Sequence, residues 1–291
     1  IGSTVSLIPN GRDFRGLCPF HDDHNPSLHV YPERQSYRCW VCDEGGDCFS
    51  WVMRTEGVEF REALEQLADR ANLEVPRRRS DGPSRAGKNR LYDTLAWARD
   101  QFHQCLLDAP EAARARDYLR EQRRLTAEMV ETFQVGFHPP DWDWLQRRAR
   151  GHFSNADLQE AGLVRPRQDG SGLRDDFVDR VLFPIQDLRG RPVAFGGRIL
   201  PDHPYPDAPK YLNSSENAVF SKKSLLYGLD LAREAIRRER TAVVVEGYTD
   251  CVSAHQYGVR HVVGTLGTAL TDEHVGALKR LAERVVLVYD G

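Results

Sequence analysis

At 291 residues, with 40% hydrophobic content and no apolar run of about 18 residues, the chain reads as soluble and globular, with two domains or more. Its 40 Lys and Arg against 43 Asp and Glu give a formal charge of -3, which excludes a polycation that coats nucleic acid indiscriminately and makes any basic site local. Four of the six cysteines lie between Cys18 and Cys48, an uneven placement unlike a secreted disulfide framework; it fits a reducing cytosol, and the start lacks the charged and apolar regions of a signal peptide.

Residues 1–75 form the first expected domain. Cys18-Pro-Phe-His21 and Cys39-Trp-Val-Cys42 are two C-x-x-ligand knuckles, and such pairs close around one tetrahedral ion, most simply a single structural Zn2+. Between them "SLHVYPERQSYRCW" alternates as two strands about a turn at Pro32-Glu33-Arg34, which returns the second knuckle beside the first, as in a zinc ribbon. His24 lies outside the knuckle spacing and His29 lies within a strand, so both read as surface or template-facing residues. Tyr31, Arg34, Tyr37, Arg38 and Trp40 either pack the ribbon's own core or present rings and cations to unpaired bases. Cys48 follows a helix N-cap at Asp47. A helical run from Val58 to Ala71 then shows three- and four-residue apolar spacing.

Residues 76–90, "PRRRSDGPSRAGKNR", hold no apolar anchor and read as a flexible basic linker. From 91 to 240 the pattern is first helical, with Leu91, Leu95, Ala98, Phe102 and Leu106 on one face, and Ser154 to Asp157 forms a capping box. It then turns to strands in "DRVLFPIQD" and "RPVAFGGRI" about Arg189-Gly190. Cys105 and Cys251 read as core cysteines.

Residues 241–291 alternate "TAVVVEGYTD", a helix from Thr249, "HVVGT", a helix opened by "TDEHVGAL" and "RVVLVYD". This β-α-β-α-β order predicts a parallel sheet with right-handed crossovers, whose strand ends meet at one edge. Glu246 and Asp290 end two of those strands and Asp250 begins the crossover helix. Converging carboxylates without a paired base point to Mg2+ and phosphoryl transfer, and the lack of a G-x-x-x-x-G-K-[ST] loop argues against an ATP-driven motor.

"GLCPFHDDHNPSLHVYPERQSYRCWVCDEGGD" resembles the zinc-binding domain of bacterial DNA primases of the DnaG type, and "RVLFPI", "AFGGRIL", "PKYLNSSE", "LLYGL", "VVEGYTD" and "LGTALT" resemble that family's RNA polymerase motifs in order. The resemblance covers nearly the whole chain, whereas the carboxylate pattern alone also fits TOPRIM nucleases and topoisomerases. It implies a multidomain α+β and α/β protein: a zinc ribbon with helices, a mixed α+β subdomain, and part of a parallel-sheet, Rossmann-like TOPRIM subdomain. It also implies DNA-templated synthesis of short RNA primers on single-stranded DNA from ribonucleoside triphosphates, with catalytic Mg2+ or Mn2+ on Glu246 and Asp290, and Asp250 as a further motif acid. Arg180, Arg198, Lys210, Lys222 and Lys223 would hold template or nucleotide phosphates, and Asn213 would donate to phosphate or sugar or cap a turn. A replicative helicase would bind through a C-terminal domain, in a bacterial cytoplasm and with no membrane contact. Asp290-Gly291 stands where the family continues D-x-D, so the resemblance implies a fragment cut at both ends that makes little primer alone. A non-catalytic single-stranded DNA-binding module is the reading from another class.

Overall fold

Period-two alternation builds the first of the two compact units, Ile1–Ser80 and Asp81–Gly291, into which the chain divides. The computed structural model describes residues 1–73, 85–167, 169–203, 208–267 and 269–289. Five short strands run as an antiparallel meander, β1 (Ile8–Asn10), β2 (Asp13–Gly16), β3 (Leu28–Tyr31), β4 (Ser36–Cys39) and β5 (Gly45–Asp47). Leu28 and Val30 of β3 are buried while His29 and Tyr31 face the other way, and Val30 pairs with Tyr37. The expected turn joins β3 to β4, closed by Arg34 N–H to the Tyr31 carbonyl at 3.2 Å.

Two helices complete this unit, α1 (Cys48–Glu56) and α2 (Phe60–Arg70). Asp47 caps α1 by accepting the Ser50 N–H at 2.8 Å, and Gly57, left-handed at φ 70°, ends it. Trp51 meets Tyr37 edge-on at 4.8 Å, and with Leu28, Val30, Cys18 and Cys39 they form the core. So small a core needs a staple.

The second unit begins with α3 (Arg85–Asp108), which buries Leu91, Leu95, Ala98, Phe102 and Leu106 along one face. Residues 85–90, expected in the flexible linker, are therefore helical. The apolar face that starts at Leu91 stabilises the turn before it, and Arg90 donates to the His152 carbonyl at 2.8 Å and pairs with Asp157 at 3.0 Å. Residues 76–84 of the expected linker lie outside the described residues.

Next come α4 (Ala113–Asp117), α5 (Ala127–Thr132) and β6 (Gly136–His138). They are followed by α6 (Trp144–Ala149), α7 (Asn155–Glu160) with the expected capping box, and the hairpin β7 (Val164–Pro166) to β8 (Leu173–Asp175). Then β9 (Arg180–Gln186), β10 (Pro192–Ile199) and β11 (Tyr211–Asn213) join β6 in an antiparallel sheet of order β11-β10-β9-β6. A Cβ on Gly136 would lie 2.7 Å from that of Phe102, so only glycine lets β6 pass this close to α3. The sheet is buried on both faces, which is why β9 and β10 read as continuous apolar runs. Leu182 and Phe195 pack towards α3, α6 and α7, whereas Val181, Phe183 and Ile185 pack towards Met129, Phe133 and Tyr227.

The last elements are α8 (Leu229–Glu239), β12 (Thr241–Val245), α9 (Tyr248–Gln256), β13 (Val262–Gly264), α10 (Asp272–Lys279) and β14 (Arg284–Val288). As the alternation predicts, they form a parallel sheet with β12 central, Val245 pairing with Gly264 on one side and Val288 on the other. Val245, Tyr248 and Cys251 share one buried cluster with Phe183 and Ile185, so the four-stranded and three-stranded sheets share a core. Among the described residues, no helix is long and apolar enough to cross a membrane.

Candidate metal centre and acidic strand edge

The two knuckles of the first unit converge. Cys18 and His21 lie on the loop after β2, Cys39 ends β4, and Cys42 lies in the turn that Cys39 N–H closes onto the Glu44 carbonyl at 2.7 Å. One ligand atom from each of the four lies within 4.8 Å of the others. The Cys18 and Cys42 sulfurs are 3.7 Å apart, and the Cys39 sulfur is 3.9 Å from His21 Nδ1. Tetrahedral zinc with Zn–S of about 2.3 Å and Zn–N of about 2.0 Å needs ligand separations of roughly 3.5–3.8 Å, so the four residues fit the ion. Burial pushes the Cys18 thiol up to about 12, a barrier that a bound cation removes by taking the thiolate. His24 pairs with Asp22 on the surface, and His29 lies on β3 beside Tyr31 and Trp40; both stand outside the cluster.

In the second unit, β12 delivers Glu246 to solvent at its carboxyl end, and Asp250 is exposed in the first turn of α9. Gly247 between them leaves room for the Asp250 carboxylate, since a Cβ there would lie 2.5 Å from Oδ2 and turn that side chain aside. The pairing of Val245 with Val288 ends β12 and β14 at the same edge, while Asp290 itself lies outside the described residues.

Tyr248, the next residue of this turn, binds the edge to the antiparallel sheet. Its ring stacks on Phe183 at 5.3 Å and occupies the space where a side chain at Gly196 would stand, 2.2 Å from an added Cβ. Its hydroxyl donates to Asn213 Oδ1 at 2.7 Å, and Asn213 Nδ2 donates to the Leu266 carbonyl at 2.6 Å. Asn213, expected to donate to phosphate or sugar or to cap a turn, thus links Tyr248 of the acidic turn to the loop at Leu266.

The expected phosphate-holding cations are not gathered in one place. Arg180 pairs across the sheet with Ile199, and Arg198 pairs with Val181 and Tyr211. Neighbouring residues of a strand face opposite ways, so the two arginines point to opposite faces. A bulge causes this. The register shifts by one residue between Pro192 and Ala194, and an unbroken hairpin would have set Arg198 directly opposite Arg180. Arg198 shares its face with Gly196 and Asn213, hydrogen-bonds the Tyr211 hydroxyl and stacks over that ring at 4.9 Å. Lys210 and Tyr211 are exposed beside it. Lys222 and Lys223 lie on a loop held to the start of α10, where the Thr271 hydroxyl donates to the Lys223 carbonyl at 2.5 Å.

Arg180 lies on the other face, in a cavity of about 460 Å³ with Trp142, Arg165, Arg174 and Asp176. Burial lowers its pKa to about 10, so it stays charged at neutral pH. Arg174 covers the Trp142 ring at 4.8 Å, and burial together with Arg165 beside it pushes its pKa below the ordinary value. The sequence reading missed Trp142, Arg165 and Arg174. Their signal was a tryptophan in "PPDWDW" and a run of arginines about a glycine-rich turn, which no motif singled out.

Three family models match in order: a CHC2 zinc finger over residues 1–82, the DNA primase catalytic core N-terminal domain over 102–233, and a Toprim domain over 240–291. A DNA primase of Halalkalibacterium halodurans is 42% identical over all of this chain and 48% of its own length. The chain spans about half the length of the curated relatives it matches. A DnaG primase catalytic domain solved with single-stranded DNA aligns at TM-score 0.65 and 38% identity, over 72% of this chain and 63% of that one. The Aquifex aeolicus primase, with its zinc-binding and RNA polymerase domains, aligns at TM-score 0.63 and 31% identity over 100% of this chain and 68% of that chain. Ribbon, core and Toprim sheet thus recur in one order in a solved relative, and this chain belongs to the DnaG family of DNA primases.

Proposed function

We propose that this chain carries the template-binding and catalytic parts of a primase that makes short RNA primers on single-stranded DNA. The carrying observation is the brace from Tyr248 through Asn213, which ties the Glu246 and Asp250 edge to the sheet face holding Arg198 and Tyr211. In this reading Glu246 and Asp290 hold Mg2+ or Mn2+, and Asp250 adds charge beside them. Bound, the ions activate the attacking oxygen and neutralise triphosphate charge. Arg198 and Lys210 position phosphates next to that edge, Lys222 and Lys223 add positive charge from the loop at α10, and Arg180 with Arg174 and Trp142 takes a separate stretch of template. The relative solved with single-stranded DNA supports a DNA template. Ribonucleoside triphosphates as substrates, a replicative helicase as partner and the bacterial cytoplasm as location belong to the same proposal.

The test is ribonucleotide incorporation on single-stranded DNA by the full-length protein. Synthesis should require Mg2+ or Mn2+, and Glu246→Gln should reduce it at least a thousandfold while template affinity changes less than twofold. DNA cleavage or relaxation without incorporation would instead make this a Toprim nuclease or topoisomerase. Binding without incorporation would leave a single-stranded DNA-binding module.

A further inference from the structure

Beside the zinc ligands lies a carboxylate that the ligand set does not use. Asp23 and its neighbour Asp22 differ sharply: the Asp22 side chain is 91% exposed and pairs with exposed His24, whereas the Asp23 side chain is 5% exposed. Asp23 Oδ2 accepts the Cys18 N–H at 2.8 Å, the Ser27 hydroxyl at 2.6 Å and the Ser27 N–H at 3.3 Å, and Oδ1 accepts the Asn25 N–H at 3.2 Å. Oδ1 also faces His21 Nε2 at 3.7 Å, on the side of the ring away from the sulfurs. Ser27 continues the chain of contacts, its Oγ lying 3.2 Å from the Cys39 sulfur.

We infer that Asp23, with Ser27, is a positioning residue of the zinc centre, setting the geometry of Cys18, His21 and Cys39 without binding the ion. Three contacts carry this. The Cys18 N–H bond fixes the first knuckle. The carboxylate facing Nε2 favours the tautomer with its proton there, which leaves Nδ1 free to bind metal, the arrangement by which outer carboxylates orient ligating histidines. The Ser27 hydroxyl, which donates to Asp23 at 2.6 Å and lies 3.2 Å from the Cys39 sulfur, extends the carboxylate's hold to the third ligand. With zinc bound, Cys39 would present a thiolate that this hydroxyl could also reach, while the Ser27 N–H, 3.3 Å from Asp23 Oδ2, would keep the residue on the carboxylate. Asp23 thus connects to three of the four ligands from a single buried carboxylate.

The test uses the whole 291-residue chain and the metals alone. Zinc affinity, measured by competition with a chromophoric chelator, should fall about 10–100-fold in Asp23→Ala, the range typical of lost outer-shell partners, and less than tenfold in Ser27→Ala. Asp22→Ala removes the same charge one position away and should change affinity less than twofold. Cobalt substitution separates positioning from mere support of the fold. If Asp23 orients ligands, the visible bands of the cobalt-loaded Asp23→Asn protein shift relative to wild type; a purely structural residue lowers the loaded fraction and leaves the bands in place. Asp23→Asn keeps an acceptor for the Cys18 N–H and answers the question should Asp23→Ala not fold. Wild-type affinity and bands in Asp23→Asn, or an equal loss in Asp22→Ala, would overturn the inference.

Discussion

The ribbon unit and the larger unit solve the stability problem in different ways. The ribbon gathers a handful of side chains around Trp51 and Tyr37, two of them the ligands Cys18 and Cys39. The larger unit buries one sheet on both faces and shares the cluster around Phe183 and Tyr248 with a second sheet. A bound metal would therefore substitute for core in the first, whereas the core of the second is large enough to fold without one. The comparison teaches that the two kinds of metal site expected in this family have different duties. The expected duty of the thiolate site is to hold a fold together, and that of the acidic edge is to act on a scaffold that folds without it.

The largest effect that would break this contrast is zinc removal. Structural zinc contributes on the order of 10 kcal/mol, so chelation, or Cys39→Ser with Cys42→Ser, should unfold residues 1–73 and leave the second unit's transition in place. Hydrogen exchange read by mass spectrometry checks this, and protection retained in the ribbon after chelation would refute it. Gly196→Ala probes the opposite unit. Its added Cβ would sit 2.2 Å from the ring of Tyr248, which is wedged between Phe183 and Tyr227, so a loss of about 3 kcal/mol is expected in the second unit alone. Chemical denaturation with and without chelator separates the two transitions, and a variant as stable as wild type would mean that the ring has room to yield.

The smallest effect concerns pH. Burial raises Asp230, in the first turn of α8, to about 6, so the folded state holds this proton more tightly than the unfolded chain does. Its contribution to stability is full below about pH 4 and is lost as pH rises through about 6. Asp230→Asn removes the ionisation. The variant should match wild type near pH 4 and exceed it by roughly 2–3 kcal/mol near pH 8 in the second unit's transition. An equal gain at both pH values would trace the effect to packing.

What the sequence discloses depends on how local the cause is. The knuckles were legible because two x-x spacings and a strand pair already bring Cys18, His21, Cys39 and Cys42 together. The parallel sheet was legible because each strand and helix carries its own period, and Glu246 follows from where β12 stops. The first turns of α3 were not, because "AGKNR" is polar and its helicity depends on the apolar face that begins at Leu91. Nor were the contacts of Asn213, whose partners Tyr248 and Leu266 lie far along the chain. Asp23 was hidden for a similar reason: beside Asp22 it looks like half of an exposed acidic pair, and only burial tells them apart.

The bulge between Pro192 and Ala194 has an electrostatic consequence as well as a geometric one. In an unbroken hairpin the guanidiniums of Arg180 and Arg198 would be direct cross-strand partners, with Cβ atoms about 5 Å apart, and like charges so placed repel. The inserted residue gives Arg198 a neutral partner in Val181 and gives Arg180 one in Ile199. Two cations thus share one end of a buried sheet with the strands themselves as the insulator, and an anionic chain meeting one of them feels little of the other until it rounds the sheet's end.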